Sequence, residues 1–134
     1  MLFRSPDFVK NSKKLVEQMT ALKNQEQKIC EGGGAKAIES QHKKNRMTAR
    51  ERIAGLIDPG THFFELGLYA AWEMYEEWGG APAAGTVTGL ARVQGRLFMV
   101  IANDATVKAG AFFPMTAKKE IGRASCRERV YVLV

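Results

Sequence analysis

Few residues in this 134-residue chain stand in patterns that could do chemistry. Gly32-Gly33-Gly34 would suit a phosphate cradle built from backbone N–H groups, but no strand precedes the glycines and no Gly-Lys-Ser/Thr ending follows them. They read as the stop of a helix instead. Asn103-Asp104 closes an apolar run. Such a pair either takes part in catalysis or ties a turn through side-chain to backbone hydrogen bonds, and the second use is favoured here. Arg50-Glu51-Arg52 suits a helix cap and a solvated face. His42 and His62 have no neighbour at metal-ligand spacing and read as surface or locally bonded histidines. Cys30 and Cys126 stand far apart and read as free thiols in a reducing compartment.

The elements that must position these groups follow from hydrophobic period. Ser5 caps a helix with Pro6 at its first position, where a missing N–H costs nothing. Phe8, Leu15, Leu22 and Ile29 recur every seven residues as one narrow apolar stripe, which suits a helix that packs on something outside itself. After the glycines, Ala35 to Lys44 predicts a short polar helix. Thr48-Ala49-Arg50-Glu51 is a capping box for another helix, with Ile53, Leu56 and Ile57 on its buried edge and Asp58-Pro59-Gly60 as its stop. Phe63, Phe64 and Leu66 suggest a short strand. Tyr69 to Trp78 is ambiguous, with core packing expected for Trp72, Tyr75 and Trp78. Gly79 to Gly85 predicts an ordered loop of small residues lying close to a neighbour or a ligand.

Thr86 to Val93 and Arg96 to Ala102 read as a hairpin about Gln94-Gly95. The second strand is apolar throughout from Leu97, as if covered on both faces. A Gly-containing loop, Lys108 to Pro114, then leads into a helix at Met115 to Glu120. That helix ought to cross to another strand, and the sequence suggests none.

Composition agrees with an ordinary globular protein, at 46% hydrophobic and 25% charged. No apolar run approaches membrane-spanning length, so no membrane partner is expected. No secretory signal is visible, so the expected location is cytoplasmic. The net charge is +6, and acids are interleaved among the bases, which disfavours nucleic acid and leaves room for a small anionic ligand.

Taken in order, Gly32-Gly33-Gly34-Ala35-Lys36-Ala37-Ile38, Thr48-Ala49-Arg50-Glu51-Arg52-Ile53, Leu56-Ile57-Asp58-Pro59-Gly60 and Phe64-Glu65-Leu66 form a close-spaced series. Gly79-Gly80-Ala81-Pro82-Ala83-Ala84-Gly85, Val87-Thr88-Gly89 and Ala102-Asn103-Asp104-Ala105-Thr106-Val107-Lys108-Ala109-Gly110 continue it. The series resembles the opening of the carboxyltransferase (beta) subunits of biotin-dependent acyl-CoA carboxylases. The Asn-Asp-Ala-Thr-Val-Lys form is similar to the methylcrotonyl-CoA branch.

The resemblance implies an α/β, crotonase-like (ClpP/crotonase) layered fold, of which this is the N-terminal portion, preceded by helices. It divides the chain into an N-terminal helix at 1–31 and the start of the carboxyltransferase domain at 32–120. It implies transfer of a carboxyl group from carboxybiotin to an acyl-CoA of the methylcrotonyl-CoA or propionyl-CoA class. Biotin is carried by a separate alpha subunit, which also uses ATP, and the beta subunits associate with one another. The location would be the mitochondrial matrix in a eukaryote. On the same ground Lys108, Ala109, Gly110 and Ala111 form a loop lying against coenzyme A, with Lys108 facing a phosphate. No catalytic residue or metal ligand is expected, so the chain alone is expected to be inactive.

Two other readings remain: a biotin-dependent acyl-CoA decarboxylase subunit and a small basic binding module. The resemblance ends at Glu120, and 121–134 reads as a non-native tail, the translation of a sequencing adapter in which Gly122 breaks the helix. Leaving out Arg123, Arg127, Arg129 and Glu128 lowers the charge from +6 to +4. DNA sequence from the source that continues in a homologous frame through these codons would refute the tail.

Overall fold

The computed structural model describes residues 5–124 and 131–133. Helix α1 spans Pro6–Cys30, with the Ser5 hydroxyl accepting the Phe8 N–H at 3.1 Å. Its stripe is largely uncovered: Phe8, Leu15 and Leu22 are exposed and Ile29 is buried. The helix ends where Gly32 turns left-handed at φ 57° and donates to Ile29 O.

Helix α2 is Ala35–Lys43 and α3 is Ala49–Leu56. The capping box forms in full, with Glu51 N–H on Thr48 Oγ1 at 3.3 Å and Thr48 N–H on Glu51 Oε2 at 2.7 Å. His42 Nε2 donates to the same carboxylate at 2.9 Å. The Thr48 N–H first, and then His42, holds the Glu51 carboxyl below its ordinary range. His42 is thus locally bonded, as expected.

The sheet runs in the order β1 (Phe64–Glu65), β2 (Thr86–Val93), β3 (Arg96–Asn103), β4 (Tyr131–Leu133). Strands β1, β2 and β3 are antiparallel neighbours, with Glu65 opposite Gly89 and Thr86 opposite Asn103. Gln94 (φ 50°) and Gly95 (φ 74°) both take the left-handed form that matches strand twist in a two-residue hairpin. Asp58 receives both of their N–H groups, at 2.6 and 2.7 Å, and so anchors the turn to the end of α3. One sheet face packs Val87, Ala91, Val100 and Ala102 against Ala49 and Ile53 of α3, with Ile57 and Phe63 at the margin. A second cluster joins Ala71, Ala81 and Ala84 to Tyr75, Phe113 and Met115, with the Tyr75 and Phe113 rings 5.0 Å apart.

Four expectations need correction. Trp78 is exposed, because a short 3₁₀ turn at Glu76–Trp78 flanked by left-handed Tyr75 and Gly79 directs it outward. Leu97 is exposed too, so β3 is enclosed only from Met99 to Ala102. Helix α4 runs Pro114–Ala124 and passes through Gly122 without breaking; a glycine costs a helix only about 1 kcal/mol. Finally, a strand does follow that helix: β4 lies parallel to β3, with Met99 opposite Tyr131. Cys30 is a free thiol, while Cys126 lies outside the described residues. Among the described residues, no helix is long and apolar enough to cross a membrane.

Candidate coenzyme-facing site

Antiparallel pairing brings the start of β2 and the end of β3 to one end of the sheet. The Asp104 N–H donates to Gly85 O at 2.9 Å and holds the two flanking loops together. Each loop contains three successive left-handed residues. In the first, Ala83, Ala84 and Gly85 have φ of 51°, 56° and 68°. In the second, Lys108, Ala109 and Gly110 have φ of 47°, 55° and 82°. A side chain disfavours this conformation by roughly 1–2 kcal/mol per residue, so each loop needs anchors.

Helix α4 anchors the first. Thr116 and Lys119, one turn apart on one helical face, are both buried. The Thr116 hydroxyl donates to Ala84 O at 2.6 Å. The Lys119 ammonium donates to Ala83 O at 2.9 Å and Thr86 O at 2.6 Å.

The second loop is held by Asp104, Thr106 and Gly33. Asp104 Oδ1 accepts the Thr106 N–H at 2.9 Å and its hydroxyl at 2.6 Å. Thr106 Oγ1 accepts the Gly33 N–H at 3.1 Å, which joins the triple glycine to the loop. Asn103 Nδ2 donates to Gly110 O at 3.4 Å. Asn103 and Asp104 thus tie the turn, as favoured from sequence.

These anchors leave Lys108, Ala109 and Ala111 exposed and Gly110 half-buried. The Lys108 ammonium lies over Gly79, at the edge of a cavity of about 160 Å³ bounded by Gly32, Gly33, Gly80 and Thr106. An adjoining cavity of about 400 Å³ shares Gly32, Gly79 and Gly80 and is bordered by Lys28, Trp72, Glu73 and Glu76. The four predicted loop residues are therefore contiguous and accessible.

Sequence reading missed three contributors. Gly79 was seen only as part of a loop. Thr116 and Lys119 went unnoticed, because their partners lie in a loop more than thirty residues away. Arg50 does more than cap: it grips Glu65 with two bonds of 2.6 and 2.9 Å and ties α3 to β1. Burial opposes its charge, but the Glu65 bonds and charge, with Cys30 and Asp104 beside them, together raise the Arg50 pKa. Burial also pushes the Cys30 thiol up, with the Arg50 charge opposing. Among the described residues, no group of His, Cys, Asp or Glu could hold a metal ion.

Two left-handed loops thus stand together at one end of the sheet of this α/β chain, the first anchored by α4 and the second by Asp104, Thr106 and Gly33, and similarity to known proteins gives the class. The profile of the family described as "Carboxyl transferase domain" matches residues 40–130, and the chain belongs to that family. It is 38% identical over 117 residues to the mitochondrial methylcrotonoyl-CoA carboxylase beta chain of Arabidopsis thaliana, covering 87% of this chain and 20% of that protein. The geranyl-CoA carboxylase beta subunit of P. aeruginosa superposes with a TM-score of 0.76 at 26% identity, covering 90% of this chain and 22% of that one. Transcarboxylase 12S, a hexamer solved with methylmalonyl-coenzyme A and methylmalonic acid bound, gives 0.70 at 31% identity, covering 80% and 21%. The α/β, crotonase-like expectation is thereby met. The chain spans about a fifth of the length of these relatives.

Proposed function

We propose that this chain belongs to a biotin-dependent acyl-CoA carboxylase beta subunit and supplies part of its coenzyme A-facing surface. The acceptor is of the methylcrotonyl-CoA class, and the carboxyl donor is carboxybiotin carried by a partner subunit that uses ATP. The enzyme works in the cytoplasm, or in the mitochondrial matrix of a eukaryote. Likeness to the Arabidopsis beta chain and to a solved hexamer with a coenzyme A ester bound supports this reading.

One observation carries the local part: Lys108-Ala109-Gly110-Ala111 is an accessible left-handed loop whose carbonyls and turn are fixed from behind, with its cation unpaired in any described contact. Such a loop offers a positive charge to a phosphate without reorganising. Carboxyl transfer also needs donors aimed at the thioester oxygen where enolate charge develops. The 134-residue chain alone is expected to bind coenzyme A without turning over.

The test is calorimetric titration of the chain with coenzyme A and with pantetheine, which lacks the phosphates. Lys108→Met is expected to weaken coenzyme A about tenfold, equivalent to roughly 1.4 kcal/mol, and to leave pantetheine unchanged. Equal affinity of the variant and the parent for coenzyme A would remove Lys108 from the site.

A further inference from the structure

Resting on that reading of Lys108, we infer that Gly79 is the positioning residue that sets where the Lys108 ammonium lies. The Gly79 and Lys108 turns then act as one phosphate-facing unit. A Cβ on Gly79 would overlap the Lys108 Nζ and come within 2.9 Å of its Cε. The side chain therefore occupies space that exists because residue 79 has none.

Donor accounting gives the glycines around this cavity the same role. The N–H of Gly32 goes to Ile29 O at 3.0 Å, and that of Gly33 to Thr106 Oγ1 at 3.1 Å. The N–H groups of Gly79 and Gly80 go to Glu76 O and Tyr75 O, each at 2.8 Å. All four amides are spent inside the protein, so these glycines offer an anion room rather than donors. The cation bordering the smaller cavity is Lys108. Beyond Gly79 and Gly80 the larger cavity is bordered by Glu73 and Glu76 as well as by Lys28, so two acids offset one base there and a phosphate gains less. Displacing the Lys108 ammonium thus removes the positive charge that borders the smaller cavity.

Gly79 and its neighbour provide an internal control. Both are left-handed, at φ 84° and 79°, so alanine strains the backbone at either position. A Cβ on Gly80 meets nothing within 4 Å, whereas one on Gly79 meets Lys108.

Gly79→Ala, Gly80→Ala, Lys108→Met and the Gly79→Ala/Lys108→Met pair, each in the full chain, are titrated with coenzyme A and pantetheine. Gly79→Ala is expected to weaken coenzyme A about fivefold and Gly80→Ala less than about twofold, with pantetheine unmoved by either. The double variant binds no more weakly than Lys108→Met alone. If Lys108→Met weakens binding while the two glycine variants behave alike, the inference is overturned and the Lys108 reading stands. If Lys108→Met changes nothing, that reading falls and takes the inference with it. Should Gly79→Ala fail to fold, the Gly79 amide resonance decides: it must shift in Lys108→Met, and an unmoved resonance overturns the inference.

Discussion

Replacing Gly33 with alanine is expected to cost the fold about 3 kcal/mol or more, the upper end of what overpacking a tight contact does. Gly33 packs flat against the backbone of the 104–111 loop. A Cβ there would overlap Thr106 O, lie 2.5 Å from Thr106 C and sit 3.0 Å from the Ala37 Cβ. None of these neighbours can swing aside, because two are backbone atoms and the third is the first atom of a helical side chain. The clash would also pull the Gly33 N–H from the Thr106 hydroxyl, 3.1 Å away. Gly55, on the exposed side of α3 with nothing within 4 Å, reverses the sign. Alanine there gains up to about 0.5–1 kcal/mol from helix propensity. Urea unfolding of both variants checks the pair. A Gly33→Ala midpoint close to the parent's would mean the triple glycine does not clasp the loop.

That contrast also separates what was legible in the sequence from what was not. Local rules are written in short windows, so Ser5-Pro6, the Thr48–Glu51 box and the Gln94-Gly95 hairpin were all readable and all form. The role of a glycine as a clasp depends on a residue 73 positions away, which no window contains. The triple glycine could be read only as a helix stop, which it also is. Lys119 failed for a related reason. Composition places lysine outside, and nothing near it in sequence reveals that the carbonyls of Ala83 and Thr86 will converge on its ammonium. The same locality explains Leu97 and Trp78. An apolar run signals burial, but a strand end or a turn beside left-handed residues can leave its side chain uncovered. The loop 108–111 was found by resemblance; its left-handed shape was not, since Lys and Ala seldom adopt it.

Asp104→Ala should remove about 2–3 kcal/mol of stability, because it leaves a buried N–H and a buried hydroxyl without their acceptor. Asp104 is 8% exposed, and its Oδ1 serves Thr106 twice, accepting from N–H and hydroxyl. Its other oxygen lies against Gly32, where an added Cβ would come within 2.6 Å. Asp104→Asn retains an acceptor of the same shape and is expected to cost less than half as much. Thr106→Val keeps the bulk, loses the hydroxyl and strands the Gly33 N–H, for about 1–2 kcal/mol. Because Asp104, Thr106 and Gly33 form one chain of bonds, the two losses should not add. The Asp104→Ala/Thr106→Val pair is expected to fall short of the sum by about 1 kcal/mol or more. Strict additivity in urea unfolding would show that the residues act separately and that the loop owes its shape to something else. The loop bearing Lys108 starts two residues beyond Thr106, so this latch also governs where the cation is presented. Loosening it with Asp104→Ala should weaken coenzyme A more than pantetheine, whereas a loss spread evenly over both would mark the latch as structural support alone.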